Sequence, residues 1–453
     1  MKSDNLPSIV LLCSPNLGVL ENWLPIFAEL KRTNSQVRIS CLISKSSTSA
    51  LIDIDNDLVK IAENYIDEVI FKSYMNHWIN VETLSESKKA NNLSLLFKAL
   101  TRVDNYIRLH SFTFISNIFS KAIRFFLYLH YYKYDSKKID ISNFLMNSKC
   151  LLCDIVDVQK GIHSYNDFLA TVYPHLICFS MHHGVNIGLD PVFKNSDWLK
   201  AQVPDNKKTT YYLFNKVDES FYQDYYNINE DDQMRIGVPR HELKWMRQII
   251  RQQANLSDKY QKKPYVLVIS RPLSNFLPLE RKKKILQDIK KLVIDNLDFN
   301  LVIKCHPKEK DLTIYEQALG NDQYNKNWFY SKRHPFILAE SCKFAITLYS
   351  SLCTDFILLG IPVIEYLNLN DLATHDSPDA LRDKSDNPVL DYRYHGMVLG
   401  VDNFEDLEKN AHKILKNKVE VLSELKNKYQ KIFYITDNPS KTVASDIMQK
   451  IVN

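Results

Sequence analysis

At 453 residues the chain exceeds one ordinary hydrophobic core, and roughly 150 residues per domain divides it into two or three. Apolar residues at 45% and charged residues at 25% exclude a disordered chain, and a formal net charge of +5 excludes a dedicated nucleic-acid-binding domain. No run of about 18 uncharged apolar residues occurs, so no transmembrane helix is expected.

The opening MKSDNLPSIVLLCSPN reads as a first strand over Ser8–Cys13 and not as a signal peptide, because it lacks a small-residue cleavage site. A helix follows over residues 18–31, with Leu20, Trp23, Leu24, Phe27 and Leu30 at helical spacing. Strands are expected at residues 37–43, 68–72, 149–156 and 175–181, with a helix near 164–171. Short apolar strands alternating with amphipathic helices point to a parallel α/β sheet. The eight cysteines sit mostly in such apolar runs, as small buried hydrophobes of a reducing compartment do; Cys150-x-x-Cys153 has no second pair to complete a zinc site.

Residues 93–138 interrupt the alternation. They are helical in pattern and rich in bases and aromatics, among them Arg102, Arg108, Lys121, Arg124, Phe112, Phe119 and Phe126. Two readings stay open: a helical insertion that rests on anionic lipid or a lipid-linked acceptor, or helices that pack on the domain and turn their bases to solvent. A second β/α series begins after a polar helical stretch at 244–263. Strands are expected at 265–270, 300–305, 328–330, 344–347 and 362–366, and helices at 278–296, 336–341, 352–359, 404–417 and from 419 onward. The division expected is therefore 1–243 and 244–453, two Rossmann-like α/β domains facing across a cleft, with the last helices free to cross back. Ligands of such folds bind at the carboxyl ends of the strands.

The chemistry concentrates at those ends. Lys304-Cys-His306-Pro307 closes a buried strand, where proline turns the chain outward and leaves imidazole and ammonium groups for a phosphate. Tyr349-Ser350-Ser351-Leu-Cys-Thr-Asp355 runs from strand into helix, giving hydroxyls beside unpaired backbone N–H groups and the positive end of the helix dipole. An ordinary serine N-cap would look the same. His182-His183-Gly184-Val-Asn186 follows a strand of the first domain, where a histidine near neutrality can take a proton from an acceptor hydroxyl. Gly237-Val-Pro239-Arg240 is expected to be a tight turn with an exposed guanidinium, and Ser270-Arg271-Pro272 places Arg271 within reach of a donor phosphate. The Asp53-Ile-Asp55 pair lacks the glycine and distal glutamate of a calcium loop and reads as a solvated helix start. No G-x-S-x-G, P-loop or G-x-G-x-x-G occurs, which disfavours hydrolase, ATP and NAD chemistry.

Taken in order, His183-Gly184, Gly237-Val-Pro-Arg240, His306-Pro307 and Ser350-Ser351…Asp355…Gly360-Ile-Pro362 resemble the CDP-glycerol glycerophosphotransferases of teichoic-acid synthesis. They are also similar to capsule-type transferases that use CMP-sialic acid or CMP-Kdo, over roughly residues 175 to 366. The resemblance implies a GT-B fold with a cytidine nucleotide on the second domain. It implies that His306, Ser350 and Ser351 hold the donor phosphate and that His183 is a candidate base, while Lys304 and Arg271 join the donor side on their strand-end positions alone. Asp355 or Glu365 would take the ribose hydroxyls, and His182, Asn186 and Arg240 would lie on the acceptor side. His182 stands where the teichoic family tends to have an aromatic residue, and Ser-Arg-Pro where it commonly has Thr-x-Arg.

The expectation is thus a metal-independent, cofactor-free transferase, cytoplasmic or peripheral on the inner face of the membrane, acting on a saccharide or lipid-linked acceptor of a bacterial surface polymer. A Kdo- or sialic-acid-like sugar from a CMP donor is the first reading. A CDP-glycerol or ribitol transferase, a UDP-GlcNAc 2-epimerase-like isomerase and a non-catalytic assembly partner are the alternatives. The epimerase needs acidic and basic groups after the first strand, and the first ionisable residue there is Glu21.

Overall fold

The computed structural model describes residues 7–13, 18–44, 56–72, 147–154, 175–182, 184–185, 187, 209–226, 228–253, 259–274, 277–306, 309, 311–368 and 389–452. The insertion expected at 93–138, the helix at 164–171, the Asp53-Ile-Asp55 pair and the site candidates His183 and Asn186 lie outside them.

The first sheet is built from β1 (Ser8–Cys13), β2 (Arg38–Ser44), β3 (Glu68–Lys72), β4 (Cys150–Asp154), β5 (Ile177–Met181), β6 (Thr209–Leu213) and β7 (Gln233–Arg235). All pairs are parallel, in the order β3-β2-β1-β4-β5-β6-β7, with Ser8 opposite Arg38 and Ile9 opposite Cys150. Every residue of β1 and β4 is buried, as a parallel strand covered on both faces requires. Helix α1 (Gly18–Thr33) lays Val19, Leu20, Trp23, Leu24, Phe27 and Leu30 on the sheet. Each large apolar side chain so buried contributes roughly 1.5–3 kcal/mol. Among the described residues this half also carries helices α2 (Asn56–Ala62) and α3 (Lys216–Tyr226), and α4 (Leu243–Gln253) follows it in the chain.

The second sheet contains β8 (Tyr265–Ile269), β9 (Asn300–Lys304), β10 (Trp328–Tyr330), β11 (Ala345–Thr347), β12 (Val363–Tyr366) and β13 (Leu399–Val401). It is again all parallel, in the order β10-β9-β8-β11-β12-β13. The helices described along this part of the chain are α5 (Leu279–Lys290), α6 (Thr313–Leu319), α7 (Pro335–Ala339), α8 (Leu352–Leu359), α9 (Asp391–Tyr394), α10 (Phe404–Ile432) and α11 (Pro439–Val452). A π-helical turn extends α5 to Asn296. Both strand orders reverse beside the first strand of the sheet, at β1/β4 and at β8/β11. This is the doubly wound arrangement whose crevice takes ligands.

The chain does not stay in the second half. Helix α10 kinks at Asn417 (φ −130°, ψ 43°), and the segment after it returns to the first sheet. There Phe433 bridges Asn215, Tyr434 N–H donates to the Phe214 carbonyl at 3.0 Å, and α11 packs on α1. Tyr212 Oη donates to Asp446 Oδ2 at 2.8 Å, which fixes α11 to β6. All eight cysteines are buried and none forms a disulfide. Among the described residues no helix is long and apolar enough to cross a membrane.

Candidate functional site

Arg271 leaves the carboxyl end of β8, and Tyr349-Ser350-Ser351 leaves that of the neighbouring β11 to open α8, so the two segments flank the point where the strand order reverses. They touch across it. Arg271 Nη1 donates to the Tyr349 carbonyl at 3.2 Å, and its guanidinium carbon stands 4.8 Å from the Tyr349 ring centroid. Tyr349 has φ +75°, a left-handed conformation that costs an L-residue roughly 1–2 kcal/mol. Strain of that kind gathers where the surrounding structure fixes a functional turn. Here Tyr349 is held by Arg271 and by its own hydroxyl, which donates to Asp391 Oδ2 at 3.1 Å. The turn delivers the two half-buried serines to the start of α8. Ser350 Oγ accepts from Leu352 N–H at 3.4 Å, whereas Ser351, at the N-cap, makes no side-chain cap bond.

The end of β9 lies beside that of β8. His306 is held by its backbone: its N–H donates to Glu309 Oε2 at 2.8 Å, and its carbonyl accepts from Glu309 N–H at 2.8 Å. Lys304, expected to face a phosphate, is buried, and its Nζ donates to the Lys332 carbonyl at 3.1 Å, toward the loop between β10 and α7.

Arg240 corrects the expectation of an exposed guanidinium. It is 3% exposed and lies between the two halves, Nη1 2.5 Å from Glu21 Oε2 on α1 and Nη2 2.6 Å from Asp355 Oδ2 on α8. Asp355 is wholly buried, and its other oxygen is 3.0 Å from His241 Nε2, whose Nδ1 meets Tyr429 Oη at 2.7 Å. The ribose role expected for Asp355 does not fit this arrangement, because Arg240 and His241 engage both carboxylate oxygens. Burial works against ionisation of Asp355, but the Arg240 charge and the His241 bond outweigh it and hold its pKa below the usual range. Burial depresses the pKa of His241, and Asp355 opposes that only in part.

The same boundary carries groups that were not among the expected site residues, and one of them, Asp57, closes the Asp53–Asp57 run expected to be a solvated helix start. Asp57, in the first turn of α2, is buried and accepts from Arg333 Nε at 3.0 Å and from His334 N–H at 2.9 Å. His334 caps α7 through Nδ1, which accepts from Phe336 N–H at 3.2 Å, and its Nε2 points at Glu21 Oε1, 3.8 Å away. Burial brings its pKa down to about 4. His334-Pro335 repeats the His306-Pro307 dipeptide, which was the available signal.

Glu365, on β12, is wholly buried. Its Oε1 accepts from Arg393 Nε at 3.1 Å, and its Oε2 has no hydrogen-bond partner among the described residues. Burial raises its pKa to about 7 against the pull of Arg393. Asp391, missed in the sequence, is alike: among the described residues its Oδ1 is buried without a partner, and burial, with the Glu365 charge added, brings its pKa to about 7. In the first half His182 follows β5, with Nε2 3.4 Å from the buried Asp218 Oδ2 and its carbonyl accepting from Asn22 Nδ2 at 2.6 Å. The structure thus brings Arg271, Ser350 and Ser351 to one switch point with His306 on the adjacent strand end. Asp355 and Arg240 form a separate buried pair, and His182 stands on the opposite sheet.

Neither a protein-family model nor a curated protein matches the chain. Solved structures do, along nearly its whole length. A protein assigned as a UDP-N-acetylglucosamine 2-epimerase from Listeria monocytogenes superposes with a TM-score of 0.56 at 12% identity, covering 98% of this chain and 96% of its own. The UDP-GlcNAc 2-epimerase from Neisseria meningitidis bound to UDP-GlcNAc gives 0.54 at 13% identity, covering 98% and 100%. A histidine-to-asparagine variant of the wall teichoic acid polymerase TagF, soaked with CDPG, gives 0.53 at 12% identity, covering 100% and 90%. The chain has the two-domain α/β fold of the GT-B type.

Proposed function

We propose that this chain is a GT-B enzyme acting on a nucleotide-activated donor, and that it transfers the donor's sugar or polyol-phosphate group to a saccharide or lipid-linked acceptor of a surface polymer. The contact between Arg271 and Tyr349 across the β8/β11 switch point supports this reading, because it sets a guanidinium beside a strained turn that opens a helix with an uncapped serine. A diphosphate seated there meets Arg271, the backbone N–H groups and hydroxyls of Ser350 and Ser351, and the His306 imidazole. Charge developing on the leaving phosphate is stabilised by these fixed groups, without calling on a metal. Glu365 offers to a ribose hydroxyl the oxygen that has no partner among the described residues. His183 is the proposed base on the acceptor side, and residues 93–138 the proposed contact with an anionic membrane.

The likeness to the teichoic acid polymerase supports a cytidine nucleotide, and the order of motifs keeps a CMP-linked Kdo- or sialic-acid-like sugar beside CDP-glycerol and CDP-ribitol as donors. Calorimetric titration with CMP, CDP, UDP and GDP, followed by turnover of the four cytidine donors with and without EDTA, tests the reading. Binding of CDP or CMP but not GDP is expected, as is turnover that EDTA leaves intact. His306→Ala and Ser351→Ala should fold and lose transfer; unchanged turnover in both rules out the site.

One observation favours a second reading, an epimerase. Glu21 and His334 face one another between the two sheets beside Arg240, giving acid and base groups near the end of β1. Conversion of UDP-GlcNAc to its 2-epimer by the purified protein decides for it.

A further inference from the structure

Beneath the ends of β8 and β9 lies a charged pair that neither the motifs nor the proposed chemistry uses. Lys282 belongs to the basic helix α5, yet it is 1% exposed, because it occupies the inward stripe with Ile285, Leu286 and Ile289. Its ammonium forms an ion pair with Glu309 Oε1, donates to the Arg271 carbonyl at 2.8 Å and sits 4.9 Å from the Tyr315 ring centroid. Glu309 is a hub. Its Oε1 also accepts from Tyr315 Oη at 2.7 Å and from Ser270 Oγ at 3.2 Å, and its Oε2 takes the His306 N–H at 2.8 Å.

A buried lysine and glutamate add little to stability compared with apolar residues of similar size, since desolvation consumes most of their attraction. What this pair does is geometric. One ammonium grips the backbone of Arg271, its carboxylate partner grips the backbone of His306, and both strand ends are thereby tied to α5 and α6. We infer that Lys282 and Glu309 are positioning residues that fix the separation of Arg271 and His306 and so set the grip on a donor diphosphate. The inference rests on the reading above. It adds that affinity for the phosphates, and not for the nucleoside, depends on a pair that touches neither.

The test is calorimetric titration of the full chain with CDP, UDP and cytidine. Lys282→Met/Glu309→Gln removes both charges, conserves volume and leaves an amide oxygen for its neighbours, so the fold is retained with a urea midpoint near that of the wild type. Its affinity for the diphosphate bound by the wild type should fall about tenfold or more, while any affinity for cytidine is unchanged. Tyr315→Phe deletes a single donor to Glu309 and should weaken diphosphate binding about threefold; it carries the test alone if the double variant fails to fold. Wild-type diphosphate affinity in the folded variants overturns the positioning role and leaves the donor site standing. A wild type that takes up neither CDP nor UDP overturns both.

Discussion

Arg240 and Asp355, 115 positions apart in the chain, meet as an ion pair sealed between the two sheets, Nη2 to Oδ2 2.6 Å. The guanidinium also holds Glu21, so one side chain links α1 of the first half to α8 of the second. Because α8 opens with Ser350 and Ser351, this link fixes the serine turn relative to the first sheet. Arg240→Ala leaves two enclosed carboxylates without their cation. A loss on the order of 3–5 kcal/mol is expected in urea unfolding. Arg240→Lys restores the charge but not the fork, so it should recover only part of that stability.

His334 makes stability fall on the acid side. Its folded pKa is about 4, below the value of about 6.5 in an unfolded chain, so the unfolded state binds more protons between those limits. Stability therefore drops as pH falls from about 6.5 to about 4, on top of the carboxylate effects at lower pH. His334→Asn keeps an acceptor for the Phe336 N–H, a good N-cap, and removes the titrating ring. The acid limb of its urea midpoint between pH 6.5 and 4 should be shallower than in the wild type. An equally steep limb assigns that slope to other groups.

How far the sequence carried the structure depends on local signals. β1, β4, β9 and the strand–serine–helix passage at α8 were legible because long apolar runs and abrupt breaks mark fully buried parallel strands. β6 (Thr209–Leu213), β7 (Gln233–Arg235) and β13 (Leu399–Val401) were not, being short, partly polar or at a sheet edge. The switch-point residues Arg271, Ser350 and Ser351 could be named since each follows a readable strand. The direction of a side chain could not: Arg240 reads as a surface arginine until Glu21 and Asp355 close on it. Lys282 shows the same limit, and its place on the Ile285–Leu286–Ile289 stripe was the clue to an inward charge.

Asp391 and Glu365 act on stability with the opposite sign to His334. Each has a folded pKa of about 7, above the unfolded range, because burial disfavours the charged form. The folded state then holds more protons than the unfolded one between about pH 4 and 7, and stability decreases as pH rises through that window. Asp391→Asn abolishes the penalty at one of the two sites and keeps an acceptor for the Tyr349 hydroxyl. It should be more stable than the wild type at pH 8, with the gain largely gone at pH 4.5. A variant no more stable at pH 8 than at pH 4.5, relative to the wild type, rules this out.

Gly237 and Gly360 separate two reasons for having no side chain. Gly360 ends α8 at φ +81°, and a Cβ added there would have nothing within 4 Å, so Gly360→Ala meets only the left-handed backbone cost of roughly 1–2 kcal/mol. At Gly237 the obstacle is the returning chain: a Cβ would stand 2.9 Å from the Tyr434 carbonyl oxygen and 3.1 Å from Thr436 Oγ1. Tyr434 cannot step aside easily, since its N–H is bonded to Phe214 and its hydroxyl to Glu219. Gly237→Ala should therefore push the crossing segment off the first sheet at a cost of about 1–3 kcal/mol. The two costs overlap, so hydrogen exchange distinguishes them. Gly237→Ala should speed exchange in residues 433–452, where α11 rests on α1, whereas Gly360→Ala should leave those amides as protected as its global stability allows. Faster exchange at α11 in both variants, or in neither, would show that the return crossing is not seated through Gly237.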